Sequence, residues 1–180
     1  GEYPVYGSNG IIGYYNQYNS EDAPVIGHIG ANAGVVVWGE GKHYVTYNGV
    51  ICNAKENVDK KYAYYALLNS NPQRLTRGST QPFISYDLLN EIPILMHETT
   101  EQKKIGKILS QIDSKIKLNN KINAELENMA KTLYDYWFVQ FDFPDENKRP
   151  YKSANGKMVY NEILKREIPL GWEVKSLYDI

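Results

Sequence analysis

The sequence predicts an α+β protein: a mostly β domain with small helices, followed by a long helix of coiled-coil type. Three observations carry that expectation. The first third of the chain alternates short apolar runs with Gly, Asn and Pro turn signals. Residues 59–70 then place Tyr62, Tyr65, Ala66 and Leu68 on one side of a short helix. From about Thr100 to Val139, apolar residues recur with a seven-residue rhythm, and no proline interrupts until Pro144.

Taken in order, Tyr3–Tyr6 and Ile11–Tyr15 flank Gly7-Ser8-Asn9-Gly10, a hairpin signal through Asn9-Gly10. Further strands are expected at Ala23–Ile29, Gly34–Trp38 and His43–Cys52, the last interrupted by an Asn48-Gly49 turn. Gly27, Gly30 and Gly34 lack dinucleotide-binding spacing, and Gly39-Glu40-Gly41-Lys42 lacks the Ser/Thr of a phosphate loop. They read as turn and bulge positions. Residues 71–85 form a loop ending in Gly78-Ser79-Thr80-Gln81-Pro82, and a turn near Tyr86–Asn90 leads to an expected strand over Glu91–Met96.

The long helix opens on a capping-box pattern, Thr99 with Gln102, and Glu98 and Glu101 complement the helix dipole. Forty residues would reach roughly 60 Å, the length of a spacer. Its seam reads Ile105, Leu109, Ile112, Ile116, Asn119, Asn123, Leu126, Ala130, Leu133 and Trp137. Ile108, Ile122, Met129 and Tyr136 widen the stripe, and Asp113–Lys117 and Glu127–Lys131 lie opposite at i,i+4. Such length points to a partner helix, because the remaining residues cannot cover it. Asn119 and Asn123 have two readings: a register-setting device, or a polar gap open to water. Asp142–Gly156 is polar and carries Pro144, Pro150 and Gly156, as a linker does, and Ile168–Val174 reads as a turn into a new strand.

The net charge of −1 argues against holding nucleic acid by bulk charge alone. The charge is uneven: residues 1–58 hold two basic against five acidic side chains, and 59–141 hold eleven against nine. The single cysteine, Cys52, excludes an internal disulfide and fits a reducing, cytoplasmic compartment. No apolar run approaches membrane-spanning length, and residues 1–20 show no signal-peptide pattern. The sixteen tyrosines suit either an interface or half-buried strand positions.

Catalytic constellations are missing from the pattern. His28, His43 and His97 lack metal-ligand spacing, so no metal or cofactor is expected. Cys52 with His43 is the one conceivable nucleophile pair, and a strand cysteine is far more often core filler. The groups suited to DNA are loop polars: Ser8, Asn9, Asn32, Lys42, Arg74, Arg77, Ser79, Thr80 and Gln81. Asn and Gln can pair with adenine, and Arg with guanine, in the major groove.

Several segments, in order, resemble the specificity subunit of type I restriction–modification systems: GEYPVYGSNGIIGYY, YAYYALL, GSTQPFIS, NEIPIL, the helix from EQKKIGKILSQ to LYDYWFVQFDF, and the tail YKSANGKMVYNEILKREIPLGWEVKSLYDI. The resemblance implies a plan of two target recognition domains separated by two conserved, antiparallel helices. Residues 1–97 would be a recognition domain lacking its opening strand, 98–140 the conserved spacer helix, 141–157 a linker, and 158–180 the start of a second recognition domain. It also implies a non-catalytic subunit that reads split double-stranded DNA. Such a subunit positions methyltransferase (modification) subunits and restriction/translocase subunits, with no cofactor of its own. Base-contacting residues do not transfer by motif, so the loop residues above rest on chemistry and location. The chain would then be a fragment or half-subunit. It would pair with a second specificity half, or with its own copy, through antiparallel helices, the tail of one copy supplying the other's missing strand. The competing expectation is a dimerising or docking coiled-coil scaffold that reads no DNA.

Overall fold

The computed structural model describes residues 1–179; Ile180, the last residue of the expected second-domain start, lies outside the described residues. Two compact units divide the chain, Gly1–Lys115 and Ile116–Ile180.

The first unit is built on a five-stranded sheet. Its strands are β1 (Tyr3–Gly7), β2 (Gly10–Tyr15), β3 (Ser20–Gly27), β4 (Val36–Val45) and β5 (Gly49–Ile51), in the spatial order β2-β1-β4-β3-β5. The first hairpin forms as expected, with Ser8 and Asn9 as the loop residues between paired Gly7 and Gly10. Gly10 takes φ +80°, which a side chain would oppose. β1 then runs parallel to the end of β4, and β3 lies antiparallel to both β4 and β5.

The expected break between Gly34–Trp38 and His43–Cys52 falls elsewhere. Val36–Val45 is one continuous strand, and the interruption comes at residues 46–48, before β5. The glycines that suggested a break are absorbed by a bulge. The β3–β4 register shifts between Glu21 and Ala23, Asp22 adopts φ 48°, and its carboxylate accepts the Gly41 N–H at 2.8 Å. Gly39 leaves room for the buried His43 ring: a Cβ there would stand 2.4 Å from His43 Nε2.

The alternation along β3 supplies two cores. Val25 packs with Tyr6 and Val45 on one face, and Ile26 packs with Val36 and Leu67 on the other. Leu67 comes from α1 (Lys60–Ser70), which Asp59 caps by accepting the Tyr62 N–H at 2.8 Å. Tyr62 and Leu67 form the buried side of α1, while Leu68 is exposed, so the apolar side is turned from the one expected. A single 3₁₀ turn (Pro72–Leu75) and α2 (Tyr86–Asn90) follow. The strand expected at Glu91–Met96 is not formed. The segment runs outside both sheets and lies along α1, where Tyr62 Oη donates to Leu95 O and Pro93 and Leu95 line a cleft with Tyr62 and Ala66.

The long helix, α3, spans Thr99–Tyr134, about 54 Å at 1.5 Å per residue. It continues as a π-helical turn over Asp135–Val139, short of the unbroken α-helix expected to Val139. Its start is not the expected capping box. Thr99 Oγ1 donates to Asn57 O at 3.3 Å, and Gln102 is buried and bridges two elements. The Gln102 Oε1 accepts the Asp59 N–H at 3.0 Å, and its Nε2 donates to His97 O at 2.7 Å. One turn on, Gly106 is buried against the start of α1. Asp113 accepts a hydrogen bond from Tyr65 Oη at 2.7 Å, a partner the expected Asp113–Lys117 pair did not include.

In the second unit the helix is stopped by a non-glycine residue. Phe141 takes φ 64° and is buried, and the Asp142 N–H donates to Tyr136 O at 2.9 Å. Residues 141–157, expected as a linker, hold hydrogen-bonded turns. Ser153 donates to both oxygens of Asp142, from Oγ at 2.6 Å and from its N–H at 2.7 Å. These bonds hold the Asp142 carboxyl below its usual pKa range. Strands β6 (Met158–Asn161) and β7 (Arg166–Pro169) pair antiparallel. Phe143 lies stacked between Tyr151 and Trp172, at 4.8 and 5.4 Å, and Arg166 covers Phe141.

A Cβ on Gly106 would stand 2.6 Å from Asp59 Oδ1 and 3.0 Å from the Tyr62 nitrogen. Alanine inside a helix ordinarily stabilises by about 1 kcal/mol over glycine. Gly106→Ala is expected instead to destabilise by about 1–3 kcal/mol, read as a lowered denaturant midpoint. A raised midpoint would contradict this packing.

Candidate functional site

Three loops of the first unit meet at one end of β3. The turn after β1 carries Ser8 and Asn9, the β3–β4 loop carries Asn32, and the segment after α1 carries Arg77–Gln81. Close backbone approach at glycines holds them together. A Cβ on Gly27 would fall 2.2 Å from Asn32 O and 3.2 Å from Ser8 O. Asn32 Nδ2 donates to Asn9 Oδ1 at 2.6 Å. The Gly30 N–H donates to Pro82 O at 2.8 Å, and Arg77 and Phe83 exchange both backbone hydrogen bonds. These last bonds close a loop whose tip, Gly78–Gln81, is exposed, with Gly78 at φ +91°.

Six of the nine predicted DNA-facing residues, Ser8, Asn9, Arg77, Ser79, Thr80 and Gln81, thus share this edge with a seventh, Asn32. Arg74 lies on its flank. Its 3₁₀ turn packs on the β3–β4 loop, where a Cβ on Gly34 would come 2.5 Å from Gln73 Cα, and its Nη2 donates to Ser70 O at 3.2 Å. Lys42 is not in this group. It lies opposite Glu21 in the β3–β4 ladder, with Nζ 4.7 Å from the centre of the Tyr18 ring. Neighbouring Tyr18 raises its pKa above the ordinary lysine value.

Sequence reasoning missed the aromatic part of the edge. His28, Tyr47, Phe83 and Tyr86 surround the same loop ends, with the His28 ring 5.2 Å from Tyr86. Loop tyrosines beside turn residues were the available signal, submerged among sixteen tyrosines.

The remote Cys52–His43 pair is not assembled. Cys52 packs against the Ile26 cluster, whereas His43 meets Tyr6, on the other face of β3. The helix-pairing residues divide in two. Ile105 and Leu109 are half-buried and line a cleft of about 280 Å³ with Tyr62, Ala66 and Leu95. Further along, Ile112, Ile116, Leu126, Leu133 and Trp137 are 37–57% exposed, and Asn119 and Asn123 are exposed with them. Among the described residues, no group of three or more His, Cys, Asp or Glu could hold a metal ion, and no helix is long and apolar enough to cross a membrane.

The family model described as the type I restriction modification DNA specificity domain matches residues 1–128. The chain belongs to that family. Among the relatives of this type I specificity chain is the MjaIX specificity subunit of Methanocaldococcus jannaschii, 36% identical over 130 residues, covering 70% of this chain and 28% of that protein. The MjaVIII specificity subunit of the same organism is 30% identical over 154 residues, covering 84% of this chain and 33% of that protein. The chain therefore spans about a third or less of the length of these relatives. A crystal structure of the type I restriction–modification system S subunit from M. genitalium shares the fold. Its TM-score is 0.62 at 23% identity, over 81% of this chain and 40% of that one.

Burial pushes the Cys52 thiol up to about 11. Its thiolate fraction at pH 8 should then be roughly a hundredfold below that of an ordinary cysteine. Alkylation of the native protein at pH 8, followed by mass spectrometry, is expected to be slower by that order than in denaturant. Equal rates would refute the half-buried placement of the thiol.

Proposed function

We propose that this chain reads one half of a split DNA target as the non-catalytic specificity element of a type I restriction–modification assembly. The observation that carries the proposal is the convergence of Ser8, Asn9, Asn32, Arg77 and the Ser79–Gln81 tip on one edge of a well-packed sheet. Amide, hydroxyl and guanidinium groups on exposed loops can reach base edges, while the apolar interior of β3 and β4 fixes their positions. The chain's weak net charge supports a division of labour in which partner subunits clamp phosphates and this chain reads bases.

In this reading residues 1–97 form a target recognition domain and 98–140 the spacer helix. Residues 141–157 connect to the start of a second recognition domain at 158–179. The exposed stripe from Ile112 to Trp137 pairs antiparallel with the helix of a second specificity half or a second copy. Methyltransferase subunits, and with them restriction/translocase subunits, dock on that assembly in the cytoplasm. A large apolar stripe in water supports a helical partner.

Selection from a randomised duplex library, with and without the companion methyltransferase, is expected to enrich a two-block motif. Arg77→Ala and Gln81→Ala should each weaken binding to it by about 1–3 kcal/mol and relax preference at one position. Binding without enrichment would instead assign the chain to the docking-scaffold function. Ile116→Asp with Leu126→Asp should shift the sedimenting species from dimer to monomer, and an unchanged mass would remove the helix-pairing proposal.

A further inference from the structure

We infer that Tyr47, His28 and Tyr86 form a methyl-reading row, a file of rings that packs on the 5-methyl groups of thymines in the major groove. This rests on the DNA-reading function proposed above and deepens it by naming the base class that the edge takes. The rings come from three separate segments. Tyr47 belongs to the β4–β5 turn, His28 follows β3, and Tyr86 opens α2. The His28 ring stands between the other two, with centroids 6.2 Å from Tyr47 and 5.2 Å from Tyr86.

The backbone of His28 ties all three together. Its N–H donates to Asn48 O at 2.9 Å, and its carbonyl accepts the Ile84 N–H at 3.0 Å. The imidazole is a wedge, with Nδ1 buried and lacking a protein partner, while Tyr47 is 80% and Tyr86 61% exposed. Two large ring faces thus stand in water on either side of a half-buried third ring.

Chemistry selects the target. Bases in a duplex hide their faces in the stack, and the apolar group that the major groove displays is the thymine methyl. The adenine opposite it displays an N7 acceptor and an N6 donor, which a side-chain amide matches. Asn32 shares the β3–β4 loop with His28 and is bonded to Asn9 of the neighbouring turn, so amide and aromatic elements fit the two partners of an A·T pair.

The test uses the full chain with its companion methyltransferase and the duplex motif that this assembly selects. Each thymine is replaced in turn by deoxyuridine, which removes only the methyl. At one or two positions in one block the wild-type chain should lose about three- to tenfold in affinity, the order expected for one buried methyl. Tyr47→Ala or Tyr86→Ala should bind more weakly and lose that uridine response. Tyr47→Phe should keep it, since the ring and not the hydroxyl makes the contact. Circular dichroism of the variants separates a folding defect from a lost contact, and Tyr47→Phe remains informative if an alanine variant fails to fold. A selected motif with no uridine-sensitive thymine would overturn the row alone. So would equal uridine responses in the wild type and the alanine variants. No selected motif at all would overturn the reading on which it rests, and the row with it.

Discussion

The first unit depends on one buried amide. Gln102 satisfies the Asp59 N–H at the start of α1 and the His97 carbonyl just before α3, so a single side chain locks the root of the long helix to the domain. A buried amide paired at both ends contributes modestly, about 0.5–1.5 kcal/mol per bond, and its removal leaves the half-buried Asp59 N–H without this partner. Gly106 makes the arrangement possible. A glycine inside a helix costs about 1 kcal/mol in propensity. Here it lets α3 approach the first turn of α1 so closely that a methyl group would meet the cap itself. Tyr65 with Asp113 repeats the attachment two turns further along.

The sheet assigns different constraints to different residues. Val25 and Ile26 are fully buried on opposite faces of β3, and each sits in its own cluster. Truncating either would leave a cavity, a cost of order 1–5 kcal/mol. The loops at the end of β3 are fixed by backbone hydrogen bonds and by glycine approaches at Gly27 and Gly34. Their side chains at Asn9, Ser79 and Gln81 point outward with little to lose, since surface substitutions typically stay within about 0.5 kcal/mol. Backbone scaffolding thus leaves the side-chain chemistry of these loops free to vary without loss of the fold.

Much of this was legible in the residues. The first hairpin, the presence of α1, and the reach and rhythm of α3 all follow from local pattern. What stayed hidden was decided by contacts distant in sequence. Gly39 and Gly41 read as turn or bulge positions between two separate strands, and Asp22 on the neighbouring strand decides for a bulge within one continuous strand. Glu91–Met96 reads as a strand locally, yet it lies along α1, held by Tyr62 Oη on Leu95 O, a contact 33 residues away in sequence. Thr99 and Gln102 fit a capping box locally, and a partner 43 residues away claims Gln102. Helix stops are sought at glycine, whereas Phe141 accepts a left-handed backbone because its ring packs with Trp172 under Arg166. Residue type picked out loop polars that the fold brings to one edge, whereas Lys42 lies near the start of β3, because charge on a strand says nothing about which end of the sheet it occupies.

The stripe on α3 obeys a different rule from the loops. Its apolar residues keep a spacing of three and four from Ile105 to Trp137, so each position is fixed by phase as well as by type. Shifting the phase by one residue turns the stripe about 100° around the helix. A substitution at Gln81 changes what one loop can touch, whereas an inserted residue near Asn119 moves every later seam position off its face. Asn119 and Asn123 stand exposed in the same phase, where an amide suits a register-setting contact and open water equally. The physical consequence is that a single substitution alters the loop surface locally, whereas the stripe keeps or loses its phase as a whole.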